Sequence, residues 1–384
     1  MILLYRILYE LGKVPFQFGL YSIAIPMLMP AAKAGLAEAQ MIVGFAYFNG
    51  RGVPASDPDA FQWLQKASDQ GNAVAQRALG IMYVNGRGVA RDKAHAAKLF
   101  RAAAEQGDST AQIQLGRMCI AGDGVTKDYA EAFKWLSQRS HQGDANVQSM
   151  LGWMYQSGSG VEKNLPEADK WYRRAADQGH AQAQLSLGNM QELGDEKNYA
   201  EALKWYRLAA KQKNHSAELN LGRLYERGLG TQKDLAAAVQ WYRAAAEGGN
   251  APAQFCLGTM LMGGLGVEKN LGEAVQWYER AAKQGDALAS SNLGVLYKTG
   301  SGVKQDYSLA AAFFRQGAEN NIPLAQYHLG QMYEQGLGVE QDQATAINWY
   351  KRAAAGGVEQ AKMRLLALGA TPAAEGVWTV KLQI

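Results

Sequence analysis

The chain repeats itself. A glycine preceded by leucine or valine stands at positions 44, 80, 116, 152, 188, 222, 258, 294 and 330; seven of the eight intervals are 36 residues and one is 34. A fixed period of this length is the signature of stacked supersecondary units. One such unit cannot bury its own apolar face, so neighbours must stack and share a continuous core. The 384 residues are therefore predicted to form one repeat array, not two or three unrelated domains.

Each period reads as two helices. The first carries A-x-A-Q-x-x-L-G-x-M-Y, as in Ala181 to Met190, with apolar and small residues three and four apart. It stops at a glycine pair, where a residue such as Gly300 takes a left-handed cap. The second opens on Asp or Asn as N-cap: Asp128, Asn164, Asp234, Asn270 and Asp306. Asp128 with Glu131, and Asn270 with Glu273, have capping-box spacing. An aromatic pair follows (Trp171-Tyr172, Trp241-Tyr242, Phe313-Phe314), then an alanine pair and a closing glycine. Gly222 and Gly294 are expected where a neighbouring helix crosses closely, and the aromatic pairs, Trp171 among them, in the wedge between layers.

The stretch LGVLYKTGSGVKQD, residues 293 to 306, raises a phosphate-loop reading, with lysines flanking a glycine pair. The pair recurs eight times, at 50/52, 86/88, 122/124, 158/160, 228/230, 264/266, 300/302 and 336/338. A phosphate loop is built once per site; a loop copied at every period is a structural corner. There is also no G-x-x-x-x-G-K-[ST], G-x-S-x-G or H-E-x-x-H. Lys+Arg (39) nearly balances Asp+Glu (35), so no basic field points to nucleic acid. Cys119 and Cys256 belong to no C-x-x-C pair and are read as small hydrophobes four repeats apart that do not bridge. Among His95, His141, His180, His215 and His328, only His180 and His215 fall near the starts of consecutive first helices, with no third ligand to make a metal site.

Repeats of A-x-A-Q-x-x-L-G-x-M-Y, G-x-G-V, W-Y and A-A-x-x-G resemble the Sel-one-like repeat family, relatives of the tetratricopeptide repeats, over residues 27 to 369. The resemblance implies an all-α fold: an α/α solenoid, a right-handed superhelix of nine to ten 36-residue two-helix repeats. It also implies a bacterial protein–protein interaction role as scaffold or adaptor. Some family members are immunity proteins that block secreted toxins, which is the alternative; a further one is an enzyme-associated subunit with a cryptic site. Three departures stand out. The fifth repeat lacks two loop residues, and its corner is expected to be tighter. Lys213 and Asn321 replace the closing glycine. The paired cysteines of one family branch are missing, so no disulfide stapling is implied.

The ends differ from the array. Residues 1–35 are read as an apolar cap or targeting segment plus a half repeat, residues 36–369 as the array and residues 370–384 as a tail that leaves the helical pattern for a short extended segment. Val14 to Ala32 carries no charge and Ala32-Lys33-Ala34 resembles a cleavage site, but Pro15, Pro26 and Pro30 interrupt the run. The expected compartment is the cytoplasm; the alternative is periplasmic or membrane-anchored through residues 1–32, with membrane contact through that segment.

Residues three before, one after and four after each array glycine are not fixed by the repeat and share one helical stripe. By resemblance this stripe lines a concave groove that takes a protein partner, with no nucleic acid, no small-molecule substrate, no cofactor and no catalytic residue. The partner-binding candidates are Phe45, Phe48, Arg77, Ile81, Ile113, Arg117, Trp153, Phe255 and Tyr327. The first four repeats supply apolar residues with two arginines; later ones mix in acids such as Glu192 and Glu226. Trp153 leads the set. Seven of the nine tryptophans sit in the second-helix aromatic register, and Trp153 does not; Trp and Arg dominate interface hot spots.

Overall fold

A computed structural model describes residues 2–139, 143–372 and 378–380. The chain divides into two compact units, Met1–Ala183 and Gln184–Ile384. The first contains α1 (Ile2–Gln17), α2 (Tyr21–Lys33), α3 (Ala37–Asn49), α4 (Asp57–Asp69), α5 (Ala73–Asn85), α6 (Lys93–Glu105), α7 (Ser109–Ala121), α8 (Tyr129–Arg139), α9 (Ala145–Ser157) and α10 (Leu165–Asp177). The division falls inside α11 (Ala181–Leu193). The second unit continues with α12 (Tyr199–Ala210), α13 (His215–Arg227), α14 (Leu235–Glu247), α15 (Ala251–Gly263), α16 (Leu271–Lys283) and α17 (Ala287–Thr299). It ends with α18 (Tyr307–Glu319), α19 (Pro323–Gln335), α20 (Gln343–Ala355), α21 (Glu359–Ala367) and two short strands, β1 (Ala370–Pro372) and β2 (Trp378–Val380). Odd-numbered helices open a layer and even-numbered helices close it. Within each unit a closing helix packs on the opening helix of the next layer, as α14 does on α15. The fold is an all-α solenoid of paired helices. In the described part of the tail, β1 and β2 pair antiparallel, Ala370 opposite Val380.

The N-caps expected from sequence form as written. The side chains of Asp128, Asn164, Asp234, Asn270 and Asp306 each accept from the backbone N–H three residues on, an interaction worth about 1 kcal/mol at each helix start. Opening helices use the same device: Asn72, Asp108, Asn214 and Asn250 accept from Ala75, Ala111, Ala217 and Ala253. Lys213 and Asn321, in place of the closing glycine, both hold φ at 60°. Asparagine enters that left-handed region readily; the lysine adopts it at a steric cost.

Both glycines of a pair have a steric reason. The first closes the opening helix in the left-handed region; Gly86 has φ 71° and its N–H bonds to the Met82 carbonyl at 2.8 Å. The second abuts the start of the closing helix one layer earlier. A Cβ on Gly160 would lie 2.1 Å from the Tyr129 carbonyl oxygen, and one on Gly338 2.2 Å from that of Tyr307. The space that a phosphate loop would leave for its ligand is filled by the preceding layer's backbone. The corner reading of residues 293 to 306 fits this arrangement, since a Cβ on Gly302 would meet Leu271 at 2.6 Å.

The array glycine meets the closing helix of its own layer. A Cβ on Gly188 would lie 2.3 Å from the Tyr206 ring, on Gly222 2.5 Å from Tyr242, and on Gly294 2.5 Å from Phe314. The aromatic pair therefore splits. Its second member (Tyr172, Tyr206, Tyr242, Tyr278, Phe314, Tyr350) is fully buried. Its first member is buried at Trp135 and Trp277 and half-buried in the other layers, often under a cation one turn on: Lys66 over Trp63, Arg174 over Trp171, Arg280 over Trp277 and Arg352 over Trp349, at 4.4 to 4.7 Å. Trp171, expected in the wedge between layers, packs half-buried against the cluster around Phe100 and Leu115, while Tyr172 is the fully buried member, because the glycine gap opens toward it.

A buried glutamine ties layer to layer. Gln254 Nε2 donates to the Ala246 carbonyl of the preceding closing helix, and its Oε1 accepts from Gln284 of its own. Gln40, Gln112 and Gln326 make the same bond to Ala32, Ala104 and Ala318. These bonds satisfy carbonyls at helix ends that would otherwise be orphaned.

Residues 2–33 form a two-helix layer, α1 packed on α2, where a half repeat was expected. Gly12 acts as its array glycine, because a Cβ there would lie 2.8 Å from Leu28. The glycine-to-contact spacing is 16 residues, against 20 between Gly44 and Leu64, so the loop is shorter and the register was hidden. Pro15, Pro26 and Pro30 do not break the helices; they lie inside α1 and α2. Pro26 and Pro30 face water, where the carbonyls they leave unbonded are solvated. Among the described residues no helix is long and apolar enough to cross a membrane.

Candidate protein-binding face

The nine candidate residues sit on opening helices. In the first unit, Phe45 and Phe48 of α3 pack beside the cluster around Leu64 and Leu79, and Arg87 stacks 3.9 Å over the Phe48 ring. Ile81 of α5 and Ile113 of α7 are half-buried against the cluster around Phe100 and Leu115. Arg77 reaches the Asp108 carboxylate at 3.0 Å, across to the N-cap of the next opening helix. It is a strap between layers. In the second unit, Phe255 leans on the Tyr278 ring at 5.8 Å and Tyr327 on Tyr350 at 5.7 Å. Two candidates are exposed, Arg117 on α7 and Trp153 on α9. They hold the same position, one after the array glycine, in consecutive layers. Trp153 is 37% exposed, with its ring edge against Tyr129 at 5.7 Å. Among the described residues Arg117 makes no ion pair.

The stripe's change from apolar to polar has an internal cause that sequence reasoning missed. Where the buried slot holds tyrosine, the phenol reaches past the array glycine to the side chain four residues after it. Tyr172 donates to Gln156 at 2.8 Å, Tyr206 to Glu192 at 2.7 Å, Tyr242 to Glu226 at 2.5 Å and Tyr350 to Glu334 at 2.7 Å. Tyr278 meets Met262 sulfur and shares a hydrogen bond with Thr259. Where the slot holds Leu64, Phe100 or Leu136, the corresponding residue is Phe48, Val84 or Ile120; the Phe314 layer departs from this, with Lys298 there donating to Gln331 of the next layer. A buried hydroxyl must find an acceptor and a hydrocarbon needs none. Burial, then the bond to the neighbouring carboxylate, pushes the Tyr206, Tyr242 and Tyr350 phenols well above their usual range, so they are donors at neutral pH. Glu192, Glu226 and Glu334 thus serve the core as much as any ligand.

The histidines are engaged locally. His180 Nδ1 accepts from the Ala183 N–H at 3.1 Å, and burial lowers its pKa. His215 Nδ1 pairs with Glu218 at 2.9 Å. Glu218 stands in the glutamine position, and Gly248 replaces the partner glutamine; a Cβ there would lie 2.1 Å from the His215 ring. His141 lies outside the described residues. Among those described, no group of three or more His, Cys, Asp or Glu is placed to hold a metal. Burial pushes both thiols, Cys119 and Cys256, up to about 11, which keeps them protonated and unreactive at neutral pH.

The sequence pattern of the Sel1 repeat matches residues 37–72, 73–108, 109–144, 145–180, 181–214, 215–250, 251–286, 287–322 and 323–358, nine consecutive copies. The chain belongs to the Sel1 repeat family. Sel1-repeat proteins mediate protein–protein interactions. Among solved structures, the chain is similar to a protective antigen present in uropathogenic Escherichia coli strains that displays an SLR fold. Identity is 34%, covering 94% of this chain and 78% of that one, with a TM-score of 0.80. A Sel1 repeat protein from Oxalobacter formigenes is 33% identical, over 85% of this chain and 93% of that one, with a TM-score of 0.65. The chain matches no curated protein sequence.

Proposed function

We propose that this Sel1-repeat protein is a non-catalytic scaffold that grips a partner protein on the opening-helix face of its first unit, with Trp153 as the central contact and Arg117 beside it in register. The observation that carries this reading is the exposure of Trp153. A large aromatic at a position the repeat leaves open, out of the core register and with much of its ring in water, has no packing role of the kind Tyr172 has. The half-buried Phe45, Ile81 and Ile113 supply an apolar floor. Arg117 supplies a planar donor for carboxylates. The fitting partner is a protein surface or helix with exposed apolar residues flanked by acids.

The test uses wild-type chain and Trp153→Ala as baits in native extract, followed by calorimetric titration of the captured protein against both. Trp153→Ala is expected to lose ~2 kcal/mol or more of affinity while its melting temperature barely moves. Tyr172→Ala, which empties a buried slot, is expected to cost ~3–5 kcal/mol of stability. Wild-type affinity in Trp153→Ala, with a melting loss like that of Tyr172→Ala, would make this tryptophan core and remove the basis of the reading.

A further inference from the structure

The opening helix of the first layer shows a face that every other opening helix hides. In the other layers within each unit, the residues five before, one before and two after the array glycine turn toward the preceding closing helix. Ala75, Leu79 and Met82 are buried there, as are Ala39, Val43 and Ala46. Relative to Gly12, the same positions in α1 are Ile7, Leu11 and Val14, and they are 48%, 53% and 55% exposed. Leu4 and Phe18, also exposed, extend the line at both ends. Ile23 adds to it from the third position of α2, the place where Glu131 and Glu273 receive an arginine from the layer before. An outer face left to water in a repeat array is ordinarily polar. This one is apolar.

The face is not shaped to receive another repeat. In eight of the nine other layers the position five before the glycine is alanine, and in the ninth valine, so that an alanine-lined closing helix can approach. Ile7 blocks that approach. What α1 carries instead is a seam at 4, 7, 11, 14 and 18, alternating steps of three and four, which pairs with a like seam.

We propose that α1 is a self-association surface: two copies of the chain pair two-fold, α1 against α1 and antiparallel, with Leu11 and Val14 of each copy packed across the axis. The six side chains leave roughly half their area in water, on the order of 100 Å² apiece, so the pairing buries about 1,200 Å² from them alone, the lower edge of a stable interface. A partner of that size gives a reversible dimer, which populates at tens of micromolar and falls apart on dilution.

The experiment is sedimentation equilibrium on the full chain over a dilution series. Flotation with phosphatidylglycerol vesicles and circular dichroism are run in parallel. Wild type is expected at twice the chain mass at the concentrated end. Leu11→Glu and, independently, Ile7→Lys are expected at single mass throughout; both positions are exposed, so helicity and melting should match wild type. A wild type that stays monomeric overturns the proposal. So do variants that still dimerise, which would put the contact elsewhere. A monomer that floats with vesicles and loses flotation in Leu11→Glu overturns it in favour of a lipid surface.

Discussion

Gly222→Ala sets two effects of known sign against each other. Glycine inside a helix is worth about 1 kcal/mol less than alanine, so in open space the substitution stabilises. At position 222 the new Cβ would lie 2.5 Å from two ring carbons of Tyr242, roughly 1 Å inside an ordinary carbon contact. The ring cannot retreat. It is fully buried among Ala238, Ala245 and Leu257, and its hydroxyl is held by Glu226 at 2.5 Å. Overpacking of this kind costs about 1–3 kcal/mol, and subtracting the helical gain leaves a net loss of up to about 2 kcal/mol. Gly272 is the control. It lies in α16, and a Cβ there meets nothing nearer than Asn270 Oδ1 at 3.7 Å. Gly272→Ala should therefore stabilise by a few tenths to about 1 kcal/mol. The assay is urea unfolding followed by far-UV circular dichroism. Midpoints are compared because an array need not unfold in one step. The expected result is opposite shifts for the two alanines. A Gly222→Ala midpoint at or above wild type would refute the claim that the array glycine exists to admit the Tyr242 ring.

The phenol–acceptor link predicts coupling. Tyr242→Phe should cost about 1–3 kcal/mol by leaving Glu226 without its donor. Adding Glu226→Val recreates the Phe100 and Val84 arrangement and should recover part of the loss, with a coupling of ~0.5 kcal/mol or more; strict additivity would sink the link. The buried phenols also set an alkaline limit. The folded-state pKa values of Tyr206, Tyr242, Tyr278 and Tyr350 lie above the ordinary 10.0, with burial the largest cause. Their contribution to stability is complete below pH 10 and is lost as pH rises beyond it. In an alkaline absorbance titration, exposed tyrosines should ionise first and the buried ones only as helix signal collapses. All 18 tyrosines ionising together with the helices intact would contradict this.

Periodicity made the helices legible, because each kind of boundary is written many times: the asparagine or aspartate before most closing helices, the glycine pair after eight opening ones. The N-terminal layer was half hidden, because its loop is four residues shorter and Gly12 does not fall on the 36-residue grid. The division of labour within the aromatic pair was not legible. Trp171 and Tyr172 are equally apolar to a pattern, and only the gap opposite Gly152 decides which goes in. The acids of the later repeats were read as groove chemistry because a residue four after the glycine faces the same way whether it serves a ligand or a buried hydroxyl. A signal was present in seven of the nine aligned layers: tyrosine accompanies Gln156, Glu192, Glu226 and Glu334, while leucine or phenylalanine accompanies Phe48, Val84 and Ile120; Tyr278 with Met262 and Phe314 with Lys298 break it. The buried glutamines were likewise visible as a motif, without the carbonyls they serve.

The tyrosine that reaches past the array glycine divides the face into positions that drift alone and positions that drift only in company. Where the slot is Leu64, Phe100 or Leu136, the residue four after the glycine is unbound by any core hydroxyl, and substitutions there answer only to what they touch outside. Where the slot is Tyr172, Tyr206, Tyr242 or Tyr350, a lineage that changes the outward residue strands a hydroxyl, and the compensating change must come from the core of the same layer. Substitution is therefore least constrained by the core in the first three layers of the matched array and in the Phe314 layer, and at the position one after the glycine that Arg117 and Trp153 occupy.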